Sequence, residues 1–123
     1  MKKLLFAGAI LGLIIVGAFA VKANTEAKKS ERATIQFNEP VKLLNVMLKG
    51  EYTFLHDEEK MAKGEDCTWV FDGSGKLVVF FHCVPAKRKP VKNFQVVTVR
   101  LNNDLREIKE YQFAGSTEAH QVP

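Results

Sequence analysis

Short runs of β-branched and aromatic residues, separated by turn-forming residues, dominate the chain from residue 33 to residue 113. This spacing predicts strands, because the strands of a small β protein alternate with turns over about 8–12 residues. A chain of 123 residues has room for one such domain, which we place at residues 33–114. We therefore expect an all-β fold, a small antiparallel sandwich or barrel of about six or seven strands. The polar residues 115–123 are expected to form a C-terminal tail.

Several short segments fit strands, and the best local signal among them is a hairpin. Its turn is formed by residues 72–75, Asp-Gly-Ser-Gly, which lie between two β-rich runs. Residues 77–81 are apolar at every position, so their strand is expected to be covered on both faces and to lie centrally. Gly50 is expected to form the turn between the second and third strands. The predicted strands are residues 34–37, 42–48, 51–56, 68–71, 76–83, 94–101 and 105–113.

The last of these segments, residues 105–113, fits two structures. Asp104 and Glu107 resemble a capping box, which favours a helix. Tyr111 and Phe113 lie two positions apart, which favours a strand. We choose the strand, because an Asn-Asn turn before the segment would close a hairpin with the preceding strand.

One short helix is expected directly after His56. Asp57 can cap its first turn, because an aspartate side chain accepts hydrogen bonds from the free N–H groups there. Glu58 and Glu59 complement the positive end of the helix dipole, and Gly64 can end the helix.

Residues 1–23 have the pattern of an export signal. A positively charged start precedes an unbroken apolar run at residues 4–20. Small residues favour cleavage after Ala23, and cleavage after Ala20 is the alternative. We therefore expect a periplasmic or secreted protein whose residues 24–32 form a flexible lead-in. The protein would stay at a membrane only if the leader, a signal peptide, were left uncleaved.

The charge balance argues against nucleic acid as a partner. The chain carries 18 Lys and Arg against 14 Asp and Glu, but three of the lysines lie in the leader. The remainder is close to neutral, whereas nucleic-acid binding needs a clustered excess of cations. One basic stretch is a candidate contact for an anion or a partner protein, or a solvated loop that opposes edge-to-edge pairing. Its members are Lys87, Arg88, Lys89 and Lys92.

The chain has two cysteines, Cys67 and Cys83. An oxidising compartment favours a disulfide between them. In the chain-entropy model, closing a loop of this length contributes about 3 kcal/mol to stability. Two free thiols that act as metal ligands are the competing interpretation.

The common catalytic and cofactor-binding motifs do not occur in this sequence. It has no Cys-x-x-Cys, no Gly-x-Gly-x-x-Gly, no phosphate-binding loop and no His-Glu-x-x-His. His82 and Cys83 are adjacent, but neighbours on a strand point to opposite faces and cannot act as base and nucleophile. We therefore expect a protein that is not an enzyme and has no catalytic residues.

A metal site is the sharper hypothesis. His56 and His82 each end a predicted strand, and Met61 follows in the short helix. Imidazole and thioether ligands suit copper, and imidazole alone suits copper or zinc. His120, in the expected tail, is the remaining candidate. The alternative for a lone histidine at a strand end is a hydrogen-bonded structural or surface group.

These features favour an exported, non-enzymatic module that binds an unknown protein or small ligand. In its most specific form, the module binds copper or zinc through its histidines. The alternative is a structural or accessory envelope subunit, which would pair with a partner chain at an exposed sheet edge.

Overall fold

The computed structural model describes residues 30–123. The expected leader at residues 1–23 and most of the expected lead-in at residues 24–32 lie outside this part of the chain. Within the described part, no helix is long and apolar enough to cross a membrane. The elements are β1 (Ser30–Leu43), β2 (Val46–Asp57), α1 (Glu58–Ala62), β3 (Thr68–Asp72), β4 (Leu77–Phe81), β5 (Val84–Lys87), β6 (Gln95–Arg100), a 3₁₀ turn (Asn102–Asp104), β7 (Arg106–Gln112) and β8 (Glu118–Gln121).

The eight strands form one mixed sheet. Its order is β4-β3-β2-β1-β7-β8-β5, and β6 also pairs with β7. The β1–β7 pairing is parallel and the other pairings are antiparallel. The mostly β character is confirmed, but the expectation of a purely antiparallel arrangement is wrong, and the sheet has eight strands where about six or seven were expected. The parallel pair joins β1 and β7, which are far apart along the chain, so no local sequence pattern predicts this pairing.

The sheet curls into a half-barrel. β4 and β5 stand at opposite ends of the strand order, yet only His82 and Cys83 separate them along the chain. Such a link spans about 11 Å at most, so the two ends of the sheet lie close together. Across the interior, the hydroxyl groups of Thr68 on β3 and Tyr111 on β7 form a hydrogen bond.

The core lies on the inner face of the curled sheet. Alternate residues of a strand point to the same face, so every second side chain of the central strands is turned inward. The rings of Phe54 and Tyr111, from β2 and β7, meet there with centroids 5.3 Å apart. Fully buried side chains include Leu43, Leu48, Phe54, Val70, Ile108 and Tyr111.

The short helix after His56 is confirmed as α1. Its cap is Asp57, whose side chain accepts a hydrogen bond of 3.0 Å from the Lys60 N–H. Gly64 follows the helix with a φ of 77°, a conformation that glycine adopts without a steric penalty. The choice of a strand for residues 105–113 is confirmed by β7.

The chain turns between β1 and β2 just before residue 46, and not at Gly50, where a turn was expected between the second and third predicted strands. Leu44 and Asn45 form this turn, and Leu44 adopts a φ of 57°. Gly50 lies inside β2, opposite Phe37, and the β1–β2 register shifts between Phe37 and Val41. This bulge lets β1 continue beyond residue 37, where the first predicted strand ends, and through Pro40. The positive φ of Gly50 therefore accompanies a bulge rather than a turn.

β4 is an edge strand, so the expectation that it lies centrally with both faces covered is wrong. It pairs only with β3, and Leu77 and Phe80 are 41% and 53% exposed. The chain leaves β4 for the far end of the sheet, so no later strand pairs with its outer edge. An accessory role through strand pairing would depend on this free edge.

Two strands have no counterpart among the predicted ones. β5 occupies part of the expected basic loop, and Pro85 is tolerated because β5 is an edge strand that pairs only with β8. β8 lies in the expected polar tail, yet Ala119 and His120 are buried. It pairs with β5 and β7 on its two sides, and its four residues are too few to show an alternating pattern. At the other end, residues 30–32 of the expected lead-in belong to β1.

Candidate metal centre

Two buried histidines stack near the link between β4 and β5. His56 on β2 and His120 on β8 are each 1% exposed. Their ring centroids are 3.8 Å apart and the angle between their planes is 29°. Tyr111 pairs with His120 across β7 and β8, and its ring lies beside both imidazoles. β2 and β8 are not neighbours in the sheet, so the curl is what brings the two rings together.

Glu31 adds a carboxylate to the two histidines. It lies opposite His56 in the β1–β2 register, so both side chains project to the inner face. Ligand atoms of Glu31, His56 and His120 all lie within 4.8 Å of one another. Two imidazoles and a carboxylate are a donor set that zinc and other transition metals use in proteins. We call these three residues the His-His-Glu group.

An acidic surface pocket of about 580 Å³ adjoins the His-His-Glu group. Glu31, Glu58 and Glu118 line it together with residues 114–117 of the turn before β8. Burial raises the pKa of Glu58 to about 7, and the neighbouring carboxylate of Glu118 is the second cause. Crowded carboxylates resist ionisation together, so a cation at this place is favoured electrostatically.

The expected disulfide between Cys67 and Cys83 is present. It ties the start of β3 to the link between β4 and β5. Its sulfurs lie near the histidines, since ligand atoms of His56, Cys67 and Cys83 form a second group within 4.8 Å. In addition, the Nδ1 atom of His120 is 4.0 Å from the Cys83 sulfur. No cysteine among the described residues is free, so the alternative of two free thiols does not hold in this oxidised state.

Burial keeps both histidines neutral at physiological pH. Loss of hydration lowers the pKa of His56 to about 4, and the opposing effect of Asp57 is smaller. Burial also lowers the pKa of His120 to about 4, and the neighbouring His56 acts in the same direction. A neutral imidazole offers a nitrogen lone pair to a metal ion. Both rings are therefore already in the protonation state that binds metal.

One nitrogen of this cluster has no protein partner. Among the buried side-chain polar atoms of residues 30–123, only the Nε2 atom of His56 lacks a hydrogen bond. An unpaired polar atom in the interior costs about 1–3 kcal/mol, and buried polar groups are nearly always paired. The other ring nitrogen, Nδ1, lies 3.7 Å from a carboxylate oxygen of Glu58. A metal ion bound at Nε2 would supply the missing partner.

We expect the protein to lose stability as the pH falls from about 6.5 to about 4. The pKa values of His56 and His120 are lowered from 6.5 to about 4 in the folded state, so the unfolded chain binds more protons in this interval. Each histidine contributes a loss of up to about 3 kcal/mol. Glu58 acts in the opposite direction, because its pKa is raised from 4.5 to about 7 and the folded state keeps its proton. Two histidines outweigh one glutamate, so the net effect is acid destabilisation.

Urea unfolding between pH 7 and pH 4.5 measures this effect. In the Glu58→Gln variant the opposing contribution is removed, so stability should fall more steeply with acid than in the wild type. Glu59→Gln is the matched control, because Glu59 is exposed on the same helix. Equal slopes for the wild type and the Glu58 variant would contradict the assignment.

The structure does not bring all of the predicted metal ligands together. It brings His56 together with His120, the candidate from the expected tail. His82 is exposed, its Nδ1 atom is 3.3 Å from the carbonyl oxygen of Glu65, and it belongs to neither ligand group of the described residues. Met61 is half-buried and packs against the core from α1. Of the histidines, only His56 and His120 therefore share one site.

The basic stretch is in part a structural feature. Arg88 donates hydrogen bonds of 3.1 and 2.7 Å to the two carboxylate oxygens of Glu110, which is 8% exposed. The guanidinium group is therefore engaged within the protein. The Lys89 carbonyl accepts a hydrogen bond of 2.8 Å from Gln112. The exposed side chains of the stretch include those of Lys87, Lys89 and Lys92.

The carboxylates of the site, Glu31 and Glu118, are not among the residues predicted from the sequence. Glu31 lies in the expected lead-in, although it extends the alternation of Ala33 and Ile35 by one further step towards the N-terminus. That alternation was the available signal. Glu118 lies two positions before His120 and so shares its face of β8, but only a recognised strand gives this spacing a meaning.

No protein-family model, curated protein or solved structure matches this chain.

Proposed function

We propose that this chain is an exported, non-enzymatic protein that binds copper or zinc through His56, His120 and Glu31. The observation that carries the proposal is the stacked pair of buried, neutral imidazoles beside a carboxylate, with one ring nitrogen that has no protein partner. The export pattern of the leader and the disulfide support an oxidising compartment outside the cytosol.

The donor set suits these ions. Zinc binds imidazole nitrogen and carboxylate oxygen at about 2.0–2.2 Å, so the ligands of one ion lie up to about 4 Å apart. The atoms of the His-His-Glu group lie within 4.8 Å of one another, so side-chain shifts of less than about 1 Å would complete the site. Glu31 also lines the acidic pocket, and Glu118 adds negative charge there, which favours a cation beside the group.

The oxidised protein is expected to bind one equivalent of Cu(II) or Zn(II) in isothermal titration at neutral pH. Glu31→Gln is expected to weaken this binding about tenfold or more, which is about 1.4 kcal/mol, because it removes the carboxylate ligand and keeps both histidines. Glu31 is partly exposed, so the fold should tolerate an amide there.

Two matched controls accompany this variant. Glu59→Gln removes an exposed glutamate of α1, and His82→Gln removes the exposed histidine, so neither should change the affinity. The proposal fails if the oxidised protein takes up no metal, or if the Glu31 and Glu59 variants bind equally well. The N-terminal sequence of protein recovered from its own compartment tests the export part separately.

A further inference from the structure

Two histidines and two cysteines form a single buried cluster. Ligand atoms of His56, Cys67 and Cys83 lie within 4.8 Å of one another, and the Nδ1 atom of His120 is 4.0 Å from the Cys83 sulfur. All four residues are at most 1% exposed. Two cysteines and two histidines are the donor set of Cys₂His₂ zinc sites.

The oxidation state of the sulfurs decides whether they can act as ligands. In the disulfide neither sulfur is a thiolate, and the thiolate is the metal-binding form. A dithiol donor can reduce the bond by exchange: the S–S bond breaks, Cys67 and Cys83 together take up two electrons and two protons, and the donor becomes a disulfide. Binding of Zn(II) then releases the two thiol protons.

We propose that reduction of the Cys67–Cys83 disulfide converts this cluster into a buried Cys₂His₂ site for Zn(II). His56, His120, Cys67 and Cys83 are its four ligands. The inference rests on the proposed function in that both sites use the same two histidines. Oxidised protein therefore presents the His-His-Glu group at the pocket, whereas reduced protein holds the ion deeper and with two thiolates.

The surroundings of the sulfurs suit thiolates. The backbone N–H of Cys83 donates a hydrogen bond of 3.1 Å to the Cys67 sulfur. The hydroxyl group of Thr68 lies 3.6 Å from the same sulfur. Donors around a metal-bound thiolate stabilise its negative charge and orient it. The Nε2 atom of His56, which has no hydrogen-bond partner, adds a nitrogen donor beside the two sulfurs.

The test compares Zn(II) affinity in oxidised protein and in protein reduced by a phosphine without oxygen, using competition with a chromophoric chelator. We expect reduction to tighten binding about a hundredfold or more. With Co(II) as the probe, the reduced protein should show a thiolate-to-cobalt charge-transfer band that the oxidised protein lacks. Bound zinc should also protect both cysteines from alkylation in intact-mass measurements. No gain in affinity and no charge-transfer band would overturn the inference.

Two variants distinguish this inference from the proposed function. Glu31→Gln should weaken Zn(II) binding by the oxidised protein and leave the Zn(II) affinity of the reduced protein unchanged. His120→Gln should weaken Zn(II) binding in both oxidation states. His82 lies beside Cys83 but is exposed, so His82→Gln should change the affinity of neither state. If reduced protein binds zinc and oxidised protein does not, the proposed function fails and the inference stands. If His120→Gln leaves the reduced affinity intact, the Cys₂His₂ assignment is wrong.

A different measurement applies if the reduced protein unfolds without metal. If the metal-free reduced protein is unfolded, circular dichroism during zinc addition replaces the affinity comparison, because metal binding then drives folding. Recovery of the native spectrum with one equivalent of zinc supports the inference. A chain that stays unfolded in excess zinc contradicts it.

Discussion

Replacing Tyr111 with alanine is expected to lower the free energy of unfolding by about 3–5 kcal/mol, the range for removing a large buried ring. Tyr111 is fully buried, and the rings of Phe54, Phe113 and His120 surround it at centroid distances of 5.3, 5.7 and 5.0 Å. The substitution leaves a cavity and also removes the hydrogen bond to Thr68 across the interior. Since small domains are stable by only about 5–15 kcal/mol, much of the protein's stability would be lost.

Urea unfolding followed by far-ultraviolet circular dichroism measures the effect. Tyr111→Phe keeps the ring and removes only the hydroxyl, so it should cost about 0.5–1.5 kcal/mol through the lost hydrogen bond to Thr68. Tyr52→Ala is the matched control, because Tyr52 is only partly buried and should cost clearly less than Tyr111. Similar losses for the Tyr52 and Tyr111 alanine variants would show that the interior is not organised around Tyr111.

Removing the disulfide is expected to cost about 3 kcal/mol, because the crosslink spans 16 positions and restricts the unfolded chain. The double variant Cys67→Ala and Cys83→Ala carries out this removal with small side chains that fit buried positions. Reductant should lower the urea midpoint of the wild type towards that of the variant and should leave the variant unchanged.

Addition of zinc distinguishes reduction of the disulfide from its replacement by two alanines. Reduced wild-type protein should regain stability when Zn(II) is added, because an ion that binds only the folded state stabilises it. The double alanine variant has no thiolates and should gain much less. A reductant effect of the same size in the variant would show that the crosslink is not the source of the stability.

Local chemistry explains the parts of the fold that sequence reasoning found. The β3–β4 turn is held by Asp72, whose side chain accepts hydrogen bonds of 2.9 Å from Ser74 and 3.0 Å from Lys76. The capping contact of Asp57 spans three residues. Both features depend on neighbours within one turn, so the residue types alone predict them.

Long-range pairing explains the parts that sequence reasoning did not find. The apolar run of β4 predicts burial, but its outer edge is free because the chain crosses to the far end of the sheet after Phe81. β8 contains Glu118 and Gln121, and it becomes a strand because β5 and β7 pair with it on its two sides. Neither outcome is encoded within a window of ten residues.

The candidate metal site was likewise predictable only in part. His56 was identifiable from its position at a strand end, but the choice of its partner depended on which strands meet inside the curl. Alternation along the chain offered one further clue: if Cys83 points inward to its disulfide, its neighbour His82 points outward. His120 needed knowledge of β8, and the sequence offers no pattern for that strand.

The residues of the His-His-Glu group come from β1, β2 and β8, which include the first and last strands of the described part of the chain. Contacts between such distant positions form late, because the intervening polypeptide must first be ordered. A growing chain that has not yet reached His120 therefore lacks one of the three residues, whatever the metal concentration around it. If the proposed site binds metal, uptake of the ion would therefore report that the first and last of these strands have come together.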